Sequence, residues 1–490
     1  MRDIFFMLKL WGLCALMSAA LTGCGVIDEA KAFLFPQEEA ETVAEAAFTM
    51  EEDAPVIVID SSELNFDITV DREPTPTPTP FVYEEIRDDV NKIYSRETAD
   101  PEEVTLTFVG DISFAEGYAN MGVLYGEPDR IKGCIKPEVL SGLDSDIFMA
   151  NNEFPYSSRG SASPGKKFTF RAKPESVSYL TDMKVDIVSL GNNHAYDYGA
   201  EALSDTIDIL NGAGIPFVGA GKNLEEAMKP VYFKVNGRTV AYTSATQIER
   251  LGNPDTKEAT EDSPGVLRTF EPSKMVSCIQ NAAQNSDFVV VYVHWGSENT
   301  DLVDDSQKKL AKEYVAAGAD LIIGDHSHCL QGIDYIEGVP VIYSLGNFWF
   351  NSRTLDTGYI KAALDTSQEE VTLKTLEFVP CIQTGCHTYL ADEGEKARIL
   401  EYLQGISFYA QISEEGLITA SDSNHNIQNG ANTSPSRKFL EENKEPEPEP
   451  ALDPLTELLL QQQAAAEALN AAGDTAGENA QAQPAEPTAE

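Results

Sequence analysis

Between residues 104 and 345 the chain returns repeatedly to one device. A short apolar run, rich in β-branched residues, breaks off at a residue able to bind metal or phosphate. VTLTFVG, SDIFMA, VDIVSLG, GRTVAYTSA, FVVVYVHWG, ADLIIG and VPVIYSLG are such runs. Stretches with apolar residues at helical spacing, GAEALSDTIDILNGAG and DDSQKKLAKEYVAAGA, separate several of them. Strands alternating with helices predict an α/β fold, and in such folds sites form beyond the carboxyl ends of strands.

The residues at those ends make up the candidate site. In order they are Asp111 (VGDIS), Glu153 (ANNEF), Asn193 with His194 (GNNHAYDYG), His294 (VHWGSE), His326 with His328 (GDHSH) and Asn347 (SLGNF). Each has an ordinary structural reading on its own. An Asp after a strand caps a turn, a loop Glu is solvated, an Asn beside Gly turns the chain, and a single His is a hydrogen-bonded core residue. Their co-occurrence at successive strand ends is what those separate readings do not predict. The chain has six histidines and four of them fall in this set. Carboxylates, an amide and imidazoles form an oxygen/nitrogen donor set suited to Mn, Fe or Zn, with enough ligands for one or two divalent ions.

Both ends of the chain have a different character. The formal net charge is -45, and residues 25–100 hold 20 acids against 5 bases while residues 431–490 hold 12 against 3. No basic patch of the kind a nucleic acid requires is present, so no nucleic-acid partner is expected. Residues 25–100 read as an acidic tether containing the polyproline-type spacer EPTPTPTPF. Residues 101–412 form the folded domain, and residues 421–490 an acidic low-complexity tail, with both flanks expected to be disordered. The first 24 residues read as a secretory signal, with Arg2 and Lys9 before an apolar core that runs to Leu21. Its end, Leu21-Thr22-Gly23-Cys24, resembles the bacterial lipoprotein box, which implies lipidation of Cys24 and anchoring on the extracytoplasmic face of the cell membrane. Five cysteines remain beyond it, and Cys381 and Cys386 are near enough in sequence to pair in an oxidising compartment.

The ordered series G-D, N-x-E, G-N-N-H-x-x-D-x-G, H-W-G-x-E, G-x-H-x-H and S-L-G-N-F resembles that of the CapA family. These are bacterial poly-γ-glutamate capsule biosynthesis proteins. KFTFRAKPESVSYL, GAGIPFVGAGKNLEEA and GVPVIYSLGNFWF follow the family as well, so the resemblance runs over about residues 104 to 380. It implies a metallophosphoesterase-like four-layer sandwich, two β-sheets flanked by helices, with a dinuclear site at the strand ends. By motif order, Asp111 and His328 would hold one metal and Asn193, His294 and His326 the other, with Glu153 bridging. His194 would be catalytic, protonating the leaving group or stabilising the transition state, Arg171 would anchor an anionic substrate, and Asp197, Glu298 and Asn347 would orient the ligands from behind.

Three departures stand against the wider phosphoesterase pattern. Asp111-Ile112-Ser113 replaces D-x-H and removes an imidazole from the first metal. Glu153 stands where that superfamily has Asp, and Ser327 separates the two histidines in place of proline. Two functions follow. One is a lipid-anchored, metal-dependent hydrolase acting on a phosphoester or an anionic envelope polymer. The other is a non-catalytic accessory protein of a membrane polymer-synthase or export complex, its metal structural or vestigial. A G-x-S-x-G elbow is missing from the sequence, which sets aside a serine hydrolase. A periplasmic binding protein would not need clustered histidines.

Overall fold

The computed structural model describes residues 85–248 and 256–426. The signal segment, Cys24, the polyproline spacer and the tail from residue 427 lie outside the described residues. No described helix is long and apolar enough to cross a membrane.

Two eight-stranded sheets form the body. Across the first the order is His387–Leu390, Thr372–Thr384, Leu355–Asp365, Glu103–Ile112, Ile147–Asn152, Ile187–Ser189 and Phe217–Val218, and Asn347–Trp349 pairs additionally with Glu103–Ile112. Across the second it is Arg87–Asp88, Ile93–Ser95, Val231–Val235, Arg238–Thr246, Phe288–His294, Leu321–Asp325, Val339–Ser344 and Gln331–Ile336. The central neighbours in each sheet are parallel: Glu103–Ile112 with Ile147–Asn152 and then Ile187–Ser189, and Arg238–Thr246 with Phe288–His294 and then Leu321–Asp325.

Side-chain alternation along these strands creates the layers. Leu106, Phe108, Ile147 and Met149 of the first sheet meet Val290, Tyr292, Leu321 and Ile323 of the second in one core between the sheets. Phe148, Ala150 and Val188 point the other way, onto Leu203, Ile207 and Leu210 of helix Gly199–Ala213. Val289, Val291 and Val293 point away from the first sheet, onto helices Ser273–Gln284 and Asp305–Ala317 through Met275, Ile279, Leu310 and Tyr314. The expected four-layer arrangement, helices on both outer faces of two packed sheets, is therefore present. It also explains why the strands read as unbroken apolar runs, since both faces are covered. Helix Asp305–Ala317 starts at a capping box in which Asp304 and Gln307 satisfy one another's backbone.

Apolarity on both faces leaves register weakly specified, because a one-residue slip exchanges one buried valine for another. Close backbone approaches fix it instead. A Cβ on Gly324 would lie 2.2 Å from the Tyr343 carbonyl, which also accepts from Trp295 Nε1 at 2.8 Å. Only glycine fits there, and the alignment of His294 with Asp325 follows.

The fold extends past the expected domain limits at each end. Arg87–Asp88 and Ile93–Ser95, within the stretch read as tether, pair into the second sheet, with Ile93 aligned to Tyr232. Strands this short leave no periodic signature. Past residue 412, Ala410–Ile412 pairs with Ile418–Ala420, and His425 N donates to the Phe408 carbonyl. All five described cysteines are free and buried. Cys381 faces the helical core of the first sheet, while Cys386 sits in the turn between Thr372–Thr384 and His387–Leu390, so the pairing considered from sequence does not form.

Candidate metal centre

Carboxyl ends of parallel strands from both sheets converge on one buried cluster. The first sheet brings Asp111, then Asn151 and Glu153, then the loop carrying Asn192, Asn193 and His194. The second brings His294, Asp325 and the turn His326–His328. Asp111 and Asn347 are aligned partners, and Asp111 N donates to the Gly346 carbonyl at 2.9 Å. A Cβ on Gly110 would stand 1.9 Å from that carbonyl, so glycine is what lets these segments touch. His326 (φ 103°) and His328 (φ 57°) both adopt left-handed backbone. Such conformations cost about 1–3 kcal/mol each and persist only where the surroundings impose them. Here Ser327 Oγ imposes them, donating to the Cys329 carbonyl at 2.7 Å and bonding Ser344 Oγ at 2.8 Å.

Within the cluster, acceptors crowd together. His294 Nε2 lies 2.9 Å from Asn193 Oδ1, 3.0 Å from His326 Nδ1 and 3.3 Å from Glu153 Oε1. His328 Nδ1 is 3.4 Å from Asp111 Oδ2 and 2.9 Å from Asn347 Oδ1. Asn151 Nδ2 donates to Asp111 Oδ1 at 2.6 Å and approaches His294 Nδ1 at 3.2 Å. Asp111, Glu153 and His294 are wholly buried, yet both Glu153 oxygens lack a hydrogen-bond partner, and Asp111 Oδ2 has only the long contact to His328 Nδ1. A buried carboxylate in that state is costly unless a positive charge meets it.

Protonation follows from this crowding. Burial, then the charges of Asp111, Asp325 and Glu298, push the Glu153 carboxyl well above its ordinary range. Burial drives His294 down to about 3 and His326 well down, so both are neutral and present lone pairs. Burial opposes ionisation of Asp111 too, but the bond from His328 and that imidazole's charge outweigh it and hold Asp111 low. His328 is raised because its bond to Asp111 and that carboxylate's charge overcome the opposing effect of burial.

Two ligand groups emerge, Glu153 with His294 and His326, and Asp111 with Glu153 and His328, the donor atoms of each lying within 4.8 Å of one another. Glu153 is common to both. Unpartnered carboxylate oxygens facing neutral imidazoles fit a divalent cation. Ser113 does not join in: it is buried and its Oγ lies 3.4 Å from Ala115 N.

The remaining expected residues fall in three ways. His194 is buried beside the cluster, Nδ1 2.7 Å from Asp197 Oδ2 and Nε2 3.9 Å from Glu153 Oε1, with Phe170 against its ring at 4.2 Å. Asn347 backs His328 as described, whereas Glu298 is exposed and reaches Glu153 and His328 through its charge. Arg171 lies over the Tyr198 ring at 4.1 Å and donates to the Arg159 carbonyl at 3.2 Å, neither of them a member of the cluster.

Sequence reasoning missed Asp325, Asn151, Asn192 and Lys166. Asp325 is wholly buried, and burial with the Asp111 charge raises its carboxyl well above the ordinary range. Tyr292 OH donates to its Oδ2 at 2.9 Å. The signal was available, since Leu321, Ile323 and Asp325 share the inward face of one strand. Asn192 Nδ2 donates to Asn151 Oδ1 and the Asn152 carbonyl, both at 3.0 Å, which locks the two asparagine loops together.

The sequence profile of the family described as "Bacterial capsule synthesis protein PGA_cap" matches residues 105–352, which contain every residue of the cluster. The chain is 33% identical over 277 residues to the PGA biosynthesis protein CapA of Bacillus subtilis (strain 168), covering 55% of this chain and 70% of that one. It is 33% identical over 313 residues to the capsule biosynthesis protein CapA of Bacillus anthracis, covering 62% and 73%. Among solved structures, TT1561 of Thermus thermophilus aligns with 55% of this chain and 97% of its own, at 8% identity and a TM-score of 0.31. The profile spans half of this chain and the two Bacillus proteins are covered over more than two thirds of their length, so this chain belongs to the bacterial capsule synthesis protein family PGA_cap.

Proposed function

We propose that this protein is a lipid-anchored, extracytoplasmic member of the family that serves capsule, poly-γ-glutamate or related envelope-polymer synthesis through a divalent-metal-dependent hydrolase site. The observation that carries the reading is the buried Glu153 carboxylate, both oxygens unpartnered, beside two neutral imidazoles and Asp111. Asp111, Glu153, Asn193, His294, His326 and His328 would hold one or two ions, of Mn, Fe or Zn. Bound there, a divalent ion lowers the pKa of a water and polarises the oxygen of a phosphoryl or acyl group.

His194 supplies the proton-transfer group. Its Nδ1 is fixed by Asp197, which turns Nε2 toward Glu153 and the cluster. Burial lowers its pKa against the raising effect of Asp197. A metal with a purely structural role does not require such a histidine, and this favours catalysis. The relatives are named for PGA and capsule biosynthesis, and this reading takes an anionic envelope polymer as substrate and a membrane synthase as partner. One observation favours the accessory role instead: Ser113 stands in the D-x-H histidine position and its hydroxyl is turned toward Ala115 N.

Metal content and hydrolysis of phosphodiesters and poly-γ-glutamate, measured on the whole protein, His194→Ala and His326→Ala, separate these readings. Loss of metal in His326→Ala alone, with activity lost in both variants, supports the hydrolase. Stoichiometric metal without turnover on either substrate class supports the accessory role. A wild-type protein that binds no divalent ion overturns the site.

A further inference from the structure

We propose that Lys166 is a positioning residue for His194, acting through Asp197. The segment between Ser157 and Phe170 folds over the His194 loop and is fastened there at several points. Ser163 donates to the Asp197 carbonyl from its backbone N at 2.8 Å and from Oγ at 3.0 Å. Phe170 N donates to Asp197 Oδ2 at 2.7 Å. At the centre, Lys166 Nζ donates to Asp197 Oδ1 and to the Asn193 carbonyl, each at 2.6 Å, with its side chain only 9% exposed.

Asp197 is wholly buried and carries its hydrogen bond to His194 Nδ1 on the oxygen it shares with Phe170 N. A buried carboxylate is costly unless a cation meets it. Lys166 does, through a near-dry ion pair. The same ammonium grips the peptide oxygen of Asn193, whose side-chain oxygen faces His294. One cation thereby fixes the tautomer of His194, with the proton on Nδ1 and the Nε2 lone pair toward the cluster, and fixes the loop that delivers Asn193. A lysine with an ordinary surface role would be solvated and would touch neither group.

This inference uses the proton-transfer reading of His194 but is tested apart from it. Full-length protein labelled with 15N-histidine has six imidazoles to resolve, and His194→Gln assigns the one in question. In metal-free wild type, His194 should show a bound, slowly exchanging Nδ1 proton. In Lys166→Met that proton should exchange at least about tenfold faster, the equivalent of losing one charge-assisted hydrogen bond. Lys166→Arg should restore most of the protection. Should the Met variant fail to fold, Lys166→Gln, which removes the charge but keeps a donor, gives the same readout. Unchanged tautomer and exchange in a folded, uncharged variant would overturn the proposal, since Phe170 N alone would then hold Asp197.

Where the wild type turns over a phosphodiester, Lys166→Met should lower kcat by about 100-fold, the scale of a lost proton-transfer group. KM should stay within about threefold, because uniform substrate binding is untouched. A wild type without turnover sinks the hydrolase reading and leaves the exchange measurement to decide the role of Lys166.

Discussion

Glu153→Gln should stabilise the metal-free protein and abolish its stabilisation by metal. Glu153 belongs to both candidate ligand groups, has zero exposure, and leaves both oxygens without a partner. Without a cation it also sits against Asp111 and Asp325, which raise its pKa together with burial. The amide has nearly the same volume, carries no charge, and can donate to the neighbouring Asp111, whose Oδ2 is held only by the 3.4 Å contact to His328 Nδ1. Relief of a buried unsatisfied group is worth about 1–3 kcal/mol. Roughly 335 described residues at about 2.1 cal/mol/K each give an unfolding entropy near 0.7 kcal/mol/K, so each kcal/mol moves Tm by about 1.4 °C. Metal-free Glu153→Gln should therefore melt about 1–4 °C above the wild type. A divalent ion at a hundred times its Kd adds about 2.7 kcal/mol to the wild type, or about 4 °C, and should add almost nothing to the variant. Calorimetric melts of both proteins in chelator and across a Mn or Zn titration at pH 7.5 would display the crossing. Equal metal-induced shifts in the two proteins, or a metal-free variant that melts below the wild type, would refute the argument that this carboxylate is kept unpaired for a cation.

Two further outcomes follow from groups outside the ligand set. Lys92 is buried, with Nζ 3.1 Å from the Phe217 carbonyl and 4.2 Å above the Phe217 ring, and burial lowers its pKa from 10.5 to about 8. Between those values the unfolded chain holds more protons than the folded one, so stability should rise with pH, by about 3 kcal/mol in total, and urea titrations of Lys92→Met from pH 7.5 to 10.5 should lack that rise. Gly110→Ala places a methyl 1.9 Å from the Gly346 carbonyl and should cost about 1–3 kcal/mol, with divalent-ion affinity, read by isothermal calorimetry, falling at least about tenfold as Asp111 is pushed from His328.

The layered architecture was legible because its cause is local. A strand covered on both faces must be apolar throughout, and a helix covering it must be apolar on one side. Runs such as FVVVYVH and the helix over Gly199–Ala213 carry those demands in their own residues. The short pairings Arg87–Asp88 and Ile93–Ser95 were not legible, since they are held by a neighbouring strand and by the buried Lys92 rather than by any periodicity. The same division runs through the site. Imidazoles and carboxylates at strand ends announce themselves as residue types, and the structure gathers Asp111, Glu153, Asn193, His294, His326 and His328 from both sheets into one place. Arg171 was put forward within the run KFTFRAKP, and its guanidinium lies over the Tyr198 ring.

Lys166 had no signal at all, because its meaning depends on a carboxylate 31 residues away becoming buried beside it. Asp325 lies between these cases. Its place at the inward end of LIIGD could be read, but only its contact with Tyr292 and Asp111 makes it more than a strand terminus. This chain thus holds a second buried acid next to Asp111. A cation bound beside Asp111 would favour ionisation of Asp325, and would then meet an added carboxylate and one imidazole fewer than a D-x-H motif supplies. Harder, oxygen-preferring ions such as Mn gain from that exchange relative to Zn. Competition between Mn and Zn, with the Asp325→Asn variant shifting preference toward Zn, is the measurement in which the Ser113 substitution should become visible.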